Sequence, residues 1–431
     1  MFRIKCAASA CAAVTLLALA GCSSGSKSAS SAGGSSSASS AGGSSSAAAS
    51  APVTLEFPSW QQNEAGYDSF YNTMISQFEA AHNNVKVHFY EVPYDNYIST
   101  ITTAFAANKP PDILVLPLTN YAKFASGNYL TSLDSYLQGT DILSDWSPLQ
   151  KSLQINGHYY NVLMQGASFA LFVNKQIMSA HNLTVPTSVP QLLSECKQLT
   201  GGGNYGIAMP TAEDPSAFSD ASIFVVGEGN SVVKNGSYDL TSPGVVKAVN
   251  DYRQLATCAA PGLVSDQMRQ VYFSGKAAMM LDGTFGLPAI QQSATASVKQ
   301  NTEMVNLPIS QQISYVSSTI AIPASIPSSH KKLVWEFIQQ CTSAASQKLF
   351  VNDIKAPAPD QAVDASANIP FAAVQAKANA GVDMVPSTPA FVENYPEIDK
   401  DFGAALSKLI SGSASTTSVL SSLQSTLPSL K

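Results

Sequence analysis

Charge is what this 431-residue chain has least of: only 12% of its residues are Asp, Glu, Lys or Arg, and the net charge is −6. No Lys/Arg cluster occurs, which argues against nucleic acid as a partner. After residue 52 no apolar run is long enough to cross a membrane. The histidines at 82, 88, 158, 181 and 330 never fall at the i, i+4 or short-loop spacings of a metal site, and neither H-E-x-x-H nor C-x-x-C is present. No G-x-S-x-G elbow marks a nucleophile, so neither a cofactor, a metal nor a catalytic residue is expected. Gly201 to Gly206 fits G-x-G-x-x-G on paper, but it follows a helical stretch and precedes a strand. That order is the reverse of what phosphate binding at a helix N-terminus requires. Gly275-Lys276 lacks the flanking residues of a P-loop.

What is present begins with a leader. Arg3 and Lys5 precede an uncharged Ala/Leu/Val-rich run from Cys6 to Ala20, the pattern of a signal peptide. Leu19-Ala20-Gly21-Cys22 then fits a lipoprotein signal, with small residues for the peptidase and a thiol for lipid attachment. Residues 1–21 are expected to be the signal peptide. Residues 22–52 read as the lipidated Cys22 and a flexible tether, because a Ser/Gly/Ala segment cannot bury enough apolar surface to fold. As a coil, roughly 30 such residues span about 30 Å r.m.s.. The expected location is the outer face of the cytoplasmic membrane.

From Val53 the remaining chain is too long for one small core, so two lobes are expected. Val53–Phe57 alternates as a strand does, a helix runs through Phe70, Met74 and Phe78, and Val85, Val87 and Phe89 form a second strand face. A helix through Tyr97, Ile101 and Phe105 stops at Pro110-Pro111, and Ile113–Leu116 reads as a strand buried on both faces. This order is doubly wound α/β. It restarts after Gly157, with a strand at Phe169–Val173, a helix around Leu192 to Leu199, a strand at Gly206–Met209 and a helix from Gly244 to Ala259. The stretch from Phe391 to Leu430 is helical in pattern. Ligands in such sheets lie beyond the carboxyl ends of the strands. Trp146 falls in a segment that reads as surface loop, and Trp335 in a buried helix.

Six cysteines reduce to four after processing. In an oxidising compartment Cys196 and Cys258 are a candidate disulfide, being in one stretch of the chain. The alternative stays open that they are core residues, since Cys196 and Cys341 each continue an apolar helical stripe.

Four segments resemble the family 1 extracellular solute-binding proteins, the group that includes maltose-binding protein. Lys109-Pro110-Pro111-Asp112-Ile113 is similar to that family's PPDI entry to a strand. The run NGHYYNVLMQGASFALFVNK from Asn156 to Lys175 is similar to its first lobe crossing. Phe273 to Met279 with Asp282-Gly283 resembles FxxGKAAMxxxG, and Val334 to Ile338 resembles the AWEFI helix. The resemblance implies a two-lobe periplasmic-binding-protein-like fold of type II, each lobe a mixed sheet flanked by helices. It implies an N-lobe of 53–163 plus 315–352 and a C-lobe of 164–314 plus 353–431. The implied function is a monomeric binding protein that captures a carbohydrate between the lobes and delivers it to ABC permease subunits, without being an enzyme. A polyamine, peptide or metal chelate is the alternative solute, and it would call for a charged cleft; a tethered enzyme on the same fold is a third reading.

Carried over by motif position, Trp60, Gln61 and Asn63 would form the first cleft loop, and Thr119 with Asn120 the loop after the Ile113 strand. Gln165 and Ser168 would lie at the first crossing, and Asp214 after the Gly206 strand. Phe285 would follow the Asp282-Gly283 turn, Tyr315 and Ser317 would lie at the second crossing, and Asn394 and Tyr395 would come from the C-terminal helical region. The chain departs from the family pattern at Leu163, at Thr284-Phe285 and at Val316-Ser317-Ser318, which thins the aromatic set expected to stack on sugar.

Overall fold

The computed structural model describes residues 52–117, 120–213, 217–363, 369–386 and 388–430. Cys22, the Ser/Gly/Ala segment, Thr119 and Asp214 lie outside the described residues.

The folded chain opens with β1 (Val53–Ser59), α1 (Tyr67–Ala81), β2 (Val85–Glu91), α2 (Tyr94–Ala106) and β3 (Leu114–Leu116). α1 exists because Phe70, Met74 and Phe78 recur on one face, and all three are buried. α2 ends where Asn108 turns left-handed at φ 55°, a conformation Asn tolerates better than most, ahead of Pro110-Pro111. β1 and β2 pair in parallel, and the Ile113 N–H reaches the Glu56 carbonyl at 3.1 Å, which sets β3 beside β1. The four residues Ile113–Leu116 are fully buried, as the unbroken apolar run requires. β4 (Asn161–Ala167) completes the outgoing strands of this first lobe.

One residue, Ser168, separates β4 from β5 (Phe169–Asn174), which belongs to a different sheet. That second sheet also takes in β6 (Tyr205–Ala208); a small hairpin of β7 (Val233–Lys234) and β8 (Ser237–Tyr238) intervenes before β9 (Ala277–Gly283) and β10 (Thr302–Val305). The order is β10-β5-β9-β6, with β6 parallel to β9 and the other pairs antiparallel. The Gly-rich stretch before β6 is a tight turn, with Gly201, Gly202 and Gly203 all at positive φ, in agreement with its reading as a helix stop.

The chain then returns through β11 (Ile313–Ala321), which runs antiparallel to both β3 and β4 in the first sheet, and adds β12 (Val382–Asp383) in parallel. Two strands therefore carry the chain between lobes, and Ser168 Oγ ties them by donating to the Ile313 carbonyl at 2.6 Å. Helix Ser328–Thr342, with Trp335 buried in it, packs on α1 in the first lobe.

Of the stretch expected to open the last part of the C-lobe, several described residues between 355 and 386 reach the first sheet. β12 pairs β11, Asp360 bridges Trp146, and the Ser147 N–H donates to the Pro359 carbonyl at 2.8 Å. The same contact corrects the reading of Trp146, which is buried at 3% exposure because the later segment covers its loop.

Candidate functional site

Between the two sheets lies a cavity of 360 Å³, inside the range of about 300–1,000 Å³ usual for small-molecule sites. On the first-lobe side its wall starts where β1 ends. Ser59 caps a short 3-10 turn, Trp60–Asn63, by accepting the Gln61 N–H at 3.1 Å. This places Trp60, Gln61, Asn63 and then Glu64 on the cavity. Trp60 is only 9% exposed, held edge-on against Tyr94 and Tyr97 with ring centroids 5.4 and 4.9 Å away. Tyr94, at the start of α2, is the exposed member of that cluster. Gln61 is engaged at both ends of its amide, accepting from the Tyr71 hydroxyl and donating to Ser318 Oγ, each at 3.4 Å.

The floor comes from the crossing strands. Gln165 lines the cavity and accepts a hydrogen bond from the Tyr67 hydroxyl. Tyr315 stacks on Phe169 at 5.1 Å, one ring from each crossing. Burial raises the phenols of Tyr67 and Tyr315 well above their ordinary value, so both stay protonated hydrogen-bonding groups. Ser317 reaches the cavity because β11 bulges there: Val316 faces Gly166 and Ser318 faces Gln165, leaving Ser317 without a cross-strand partner.

The second-lobe wall is charged. Arg269, on helix Ser265–Phe273, donates through Nε to Asp282 Oδ2 at 2.6 Å and through Nη2 to Oδ1 at 3.1 Å. Nη1 reaches Asp266 at 3.0 Å, and the guanidinium sits 5.5 Å from the Phe285 ring centroid. Burial works against the Arg269 charge, but Asp282 more than offsets it and holds the group above its ordinary range. Across the cavity, Glu64 is exposed by area yet deep enough that desolvation lifts its carboxyl to about 7, against the pull of Arg269 and with a further push from Asp266.

Of the residues expected from sequence, Trp60, Gln61, Asn63, Gln165, Phe285, Tyr315 and Ser317 line this cavity. Four lie elsewhere. Ser168 spends its hydroxyl on the Ile313 carbonyl. Asn120 is buried before helix Tyr121–Ser126. Asn394 donates to the Ala390 carbonyl at 2.8 Å within the helical region, and Tyr395 is 1% exposed with its hydroxyl 3.2 Å from Ser219 Oγ. Sequence reasoning missed Glu64, Glu91, Tyr94, Asp266, Arg269 and Asp282. Glu91 and Tyr94 follow the carboxyl end of β2, where the strand-end rule already pointed. Cys196 and Cys258 are both buried free thiols and do not line the cavity.

A profile of the family described as "Bacterial extracellular solute-binding protein" matches residues 62–348. Curated relatives include an uncharacterized lipoprotein in the oleD 5' region of Streptomyces antibioticus, 27% identical over 50% of this chain and 44% of its own length. Another is the maltotriose-binding protein of Pyrococcus abyssi, 19% identical over 54% of this chain and 50% of its own. The chain spans about half the length of the curated relatives it matches. Solved structures cover far more of it. An ABC transporter solute-binding protein from Agrobacterium radiobacter K84 in complex with ribitol is 24% identical, covers 87% of this chain and 98% of its own, and has a TM-score of 0.72. The GacH receptor of Streptomyces glaucescens, solved unliganded and with acarbose, is 20% identical over 87% of this chain and 97% of its own, with a TM-score of 0.74. Maltose-bound T. maritima MalE3 is 16% identical over 86% and 98%, with a TM-score of 0.74. Two sheets joined by paired crossings around a cavity, and a family profile over residues 62–348, establish that the chain belongs to the bacterial extracellular solute-binding proteins, with their two-lobe fold.

Proposed function

We propose that this protein is a lipid-anchored receptor that captures a mono- or oligosaccharide between its lobes and delivers it to the permease of an ABC importer. The observation that carries this reading is the cavity wall itself. Aromatic faces at Tyr94, Phe285 and the Phe169–Tyr315 stack lie beside planar polar groups at Asn63, Gln165 and the Arg269–Asp282 pair. Apolar ring faces of a sugar stack on the former, and its hydroxyls bond to the latter. The ligand set is then Trp60, Gln61, Asn63, Gln165, Phe285, Tyr315 and Ser317 with the charged residues just named, and Thr119 and Asp214 are retained from the sequence. Solved relatives bound to ribitol, acarbose and maltose support the ligand class. The lobes divide at Ser168 and again before Ile313, with residues 355–386 counted in the first. Cys22 holds the receptor near its permease as a monomer, and the tether lets it turn to deliver.

A thermal-shift screen against neutral mono- and oligosaccharides tests this. Binding raises the midpoint by mass action, so a ligand shows a concentration-dependent rise. A flat response across the series sinks the carbohydrate reading.

A second reading is favoured by the wall's charge. Glu64, Glu91, Asp220, Asp266 and Asp282 all line the cavity, with Arg269 as the one basic side chain among the described lining residues. An amine-bearing solute, such as a polyamine, suits that balance, and a midpoint rise with spermidine but with no sugar would select it.

A further inference from the structure

Cys196 sits near the end of helix Val189–Gln198, and Cys258 lies two residues past the end of helix Pro243–Ala256. Both are shut off from solvent, at 0% and 1% exposure, and each thiol shifts the acidity of the other. The backbone around them is fixed at one point. Thr200 Oγ1 donates to the Cys196 carbonyl at 2.8 Å and reaches that of Cys258 at 3.3 Å, and it accepts the Gly206 N–H at 2.9 Å. The Gly206 N–H also faces the Cys258 carbonyl at 3.1 Å. Only glycine permits this approach, because a Cβ at Gly206 would stand 2.1 Å from the Cys196 carbonyl oxygen. Two helix ends and the start of β6 therefore meet where the backbones of the two cysteines come together. No group of three or more His, Cys, Asp or Glu side chains able to hold a metal occurs among the described residues, and neither thiol lines the ligand cavity. Cys341 is remote from the pair in chain and lobe, buried on the helix that packs on α1.

We propose that Cys196 and Cys258 are joined by a disulfide in the exported protein, pinning the second lobe behind the cavity. This rests on the extracytoplasmic location of the proposed function, since a reducing compartment would keep both thiols. The two thiols lose two protons and two electrons as one S–S bond forms. The acceptor is a disulfide of the thiol-oxidase or oxidised-glutathione class, which is reduced to two thiols in turn. Because both sulfurs are buried, exchange takes place while the chain folds. The bond closes a loop of about 60 residues and stabilises chiefly by restricting the unfolded chain.

The test uses the full chain in two forms: exported to an oxidising compartment, and refolded from the reduced state with oxidised and reduced glutathione. Each is denatured, alkylated without reductant and mapped by mass spectrometry. The expected result is a linked peptide pair containing Cys196 and Cys258, two hydrogens lighter than the separate peptides, with Cys341 alkylated. Reductant should lower the unfolding midpoint of the wild type by several degrees and leave C196A/C258A unmoved. Full alkylation of both residues in the exported protein, or a link from either to Cys341, overturns the proposal. The saccharide screen reads ligand binding instead, so failure there and failure here are told apart.

Discussion

Arg269 and Asp282 meet in a two-point pair, Nε to Oδ2 at 2.6 Å and Nη2 to Oδ1 at 3.1 Å, with the Asp282 side chain only 6% exposed. They are 13 residues apart, one on a helix and one on β9, so the pair fastens the helix that forms the second-lobe wall to its sheet. Breaking such a pair from one side leaves a poorly solvated charge, at a cost of about 3–5 kcal/mol. Asp282→Asn is expected to lose a large part of that in urea unfolding. The double variant R269M/D282N should be less destabilised than the two single losses added together, because it leaves no orphan charge. A strictly additive cycle would show that the pair contributes nothing to the wall.

Glu64 gives the protein a pH signature. Its folded carboxyl is lifted to about 7, against 4.5 for the unfolded group, with desolvation at the cavity wall as the main cause. Between those values the folded chain binds more protons than the unfolded one, so stability falls as pH rises through the window and levels off above it. Glu64→Gln should remove this component from a plot of unfolding midpoint against pH 4–8. The same titration separates the two ligand readings, because an amine-bearing solute should bind more tightly as Glu64 ionises and lose that dependence in E64Q.

The sequence pattern carried the architecture further than the site. Hydrophobic spacing placed α1, α2 and the buried Ile113–Leu116 strand within a few residues, because local periodicity reports which face is buried. The segment from Phe273 to Gly283 was recognisable as a motif, yet its site residues were not. An isolated Arg on a helix reads as solvated surface until folding brings Asp282 beneath it. Ser168 failed in the other direction, since its hydroxyl is consumed by a carbonyl 145 residues away. Trp146 reads as surface until the segment around Asp360 covers it. Each miss turns on a contact beyond the reach of local periodicity, 13 residues away for Arg269 and 145 for Ser168.

Trp60 and Tyr94 touch each other but should respond differently to truncation. Trp60 is packed between two tyrosines at 9% exposure, whereas Tyr94 presents an exposed ring at the cavity. Trp60→Ala is expected to cost about 3–5 kcal/mol of stability, as for a large core aromatic. Tyr94→Ala should leave stability nearly unchanged and weaken ligand binding by about 1–3 kcal/mol, taking the loss of one base-stacking contact as a guide. Calorimetric titration with a ligand from the screen, beside denaturant unfolding of both variants, checks this. Equal effects on binding and stability in Y94A would remove Tyr94 from the platform.

Ser168 offers a test of the crossing itself. Its hydroxyl joins the outgoing strand pair to the returning β11 through the Ile313 carbonyl at 2.6 Å, and its own carbonyl accepts the Thr284 N–H at 2.8 Å. Ser168→Ala keeps the backbone contact but strands the Ile313 carbonyl in a site from which water is excluded, at a cost of about 1–3 kcal/mol. Because that bond spans the two strands that connect the lobes, the loss is expected also to change how the lobes settle relative to each other. Small-angle scattering of S168A with and without ligand is expected to show a different change in radius of gyration from wild type. Loss of stability with an unaltered change on binding would make Ser168 a packing residue of the crossing, with no part in lobe movement.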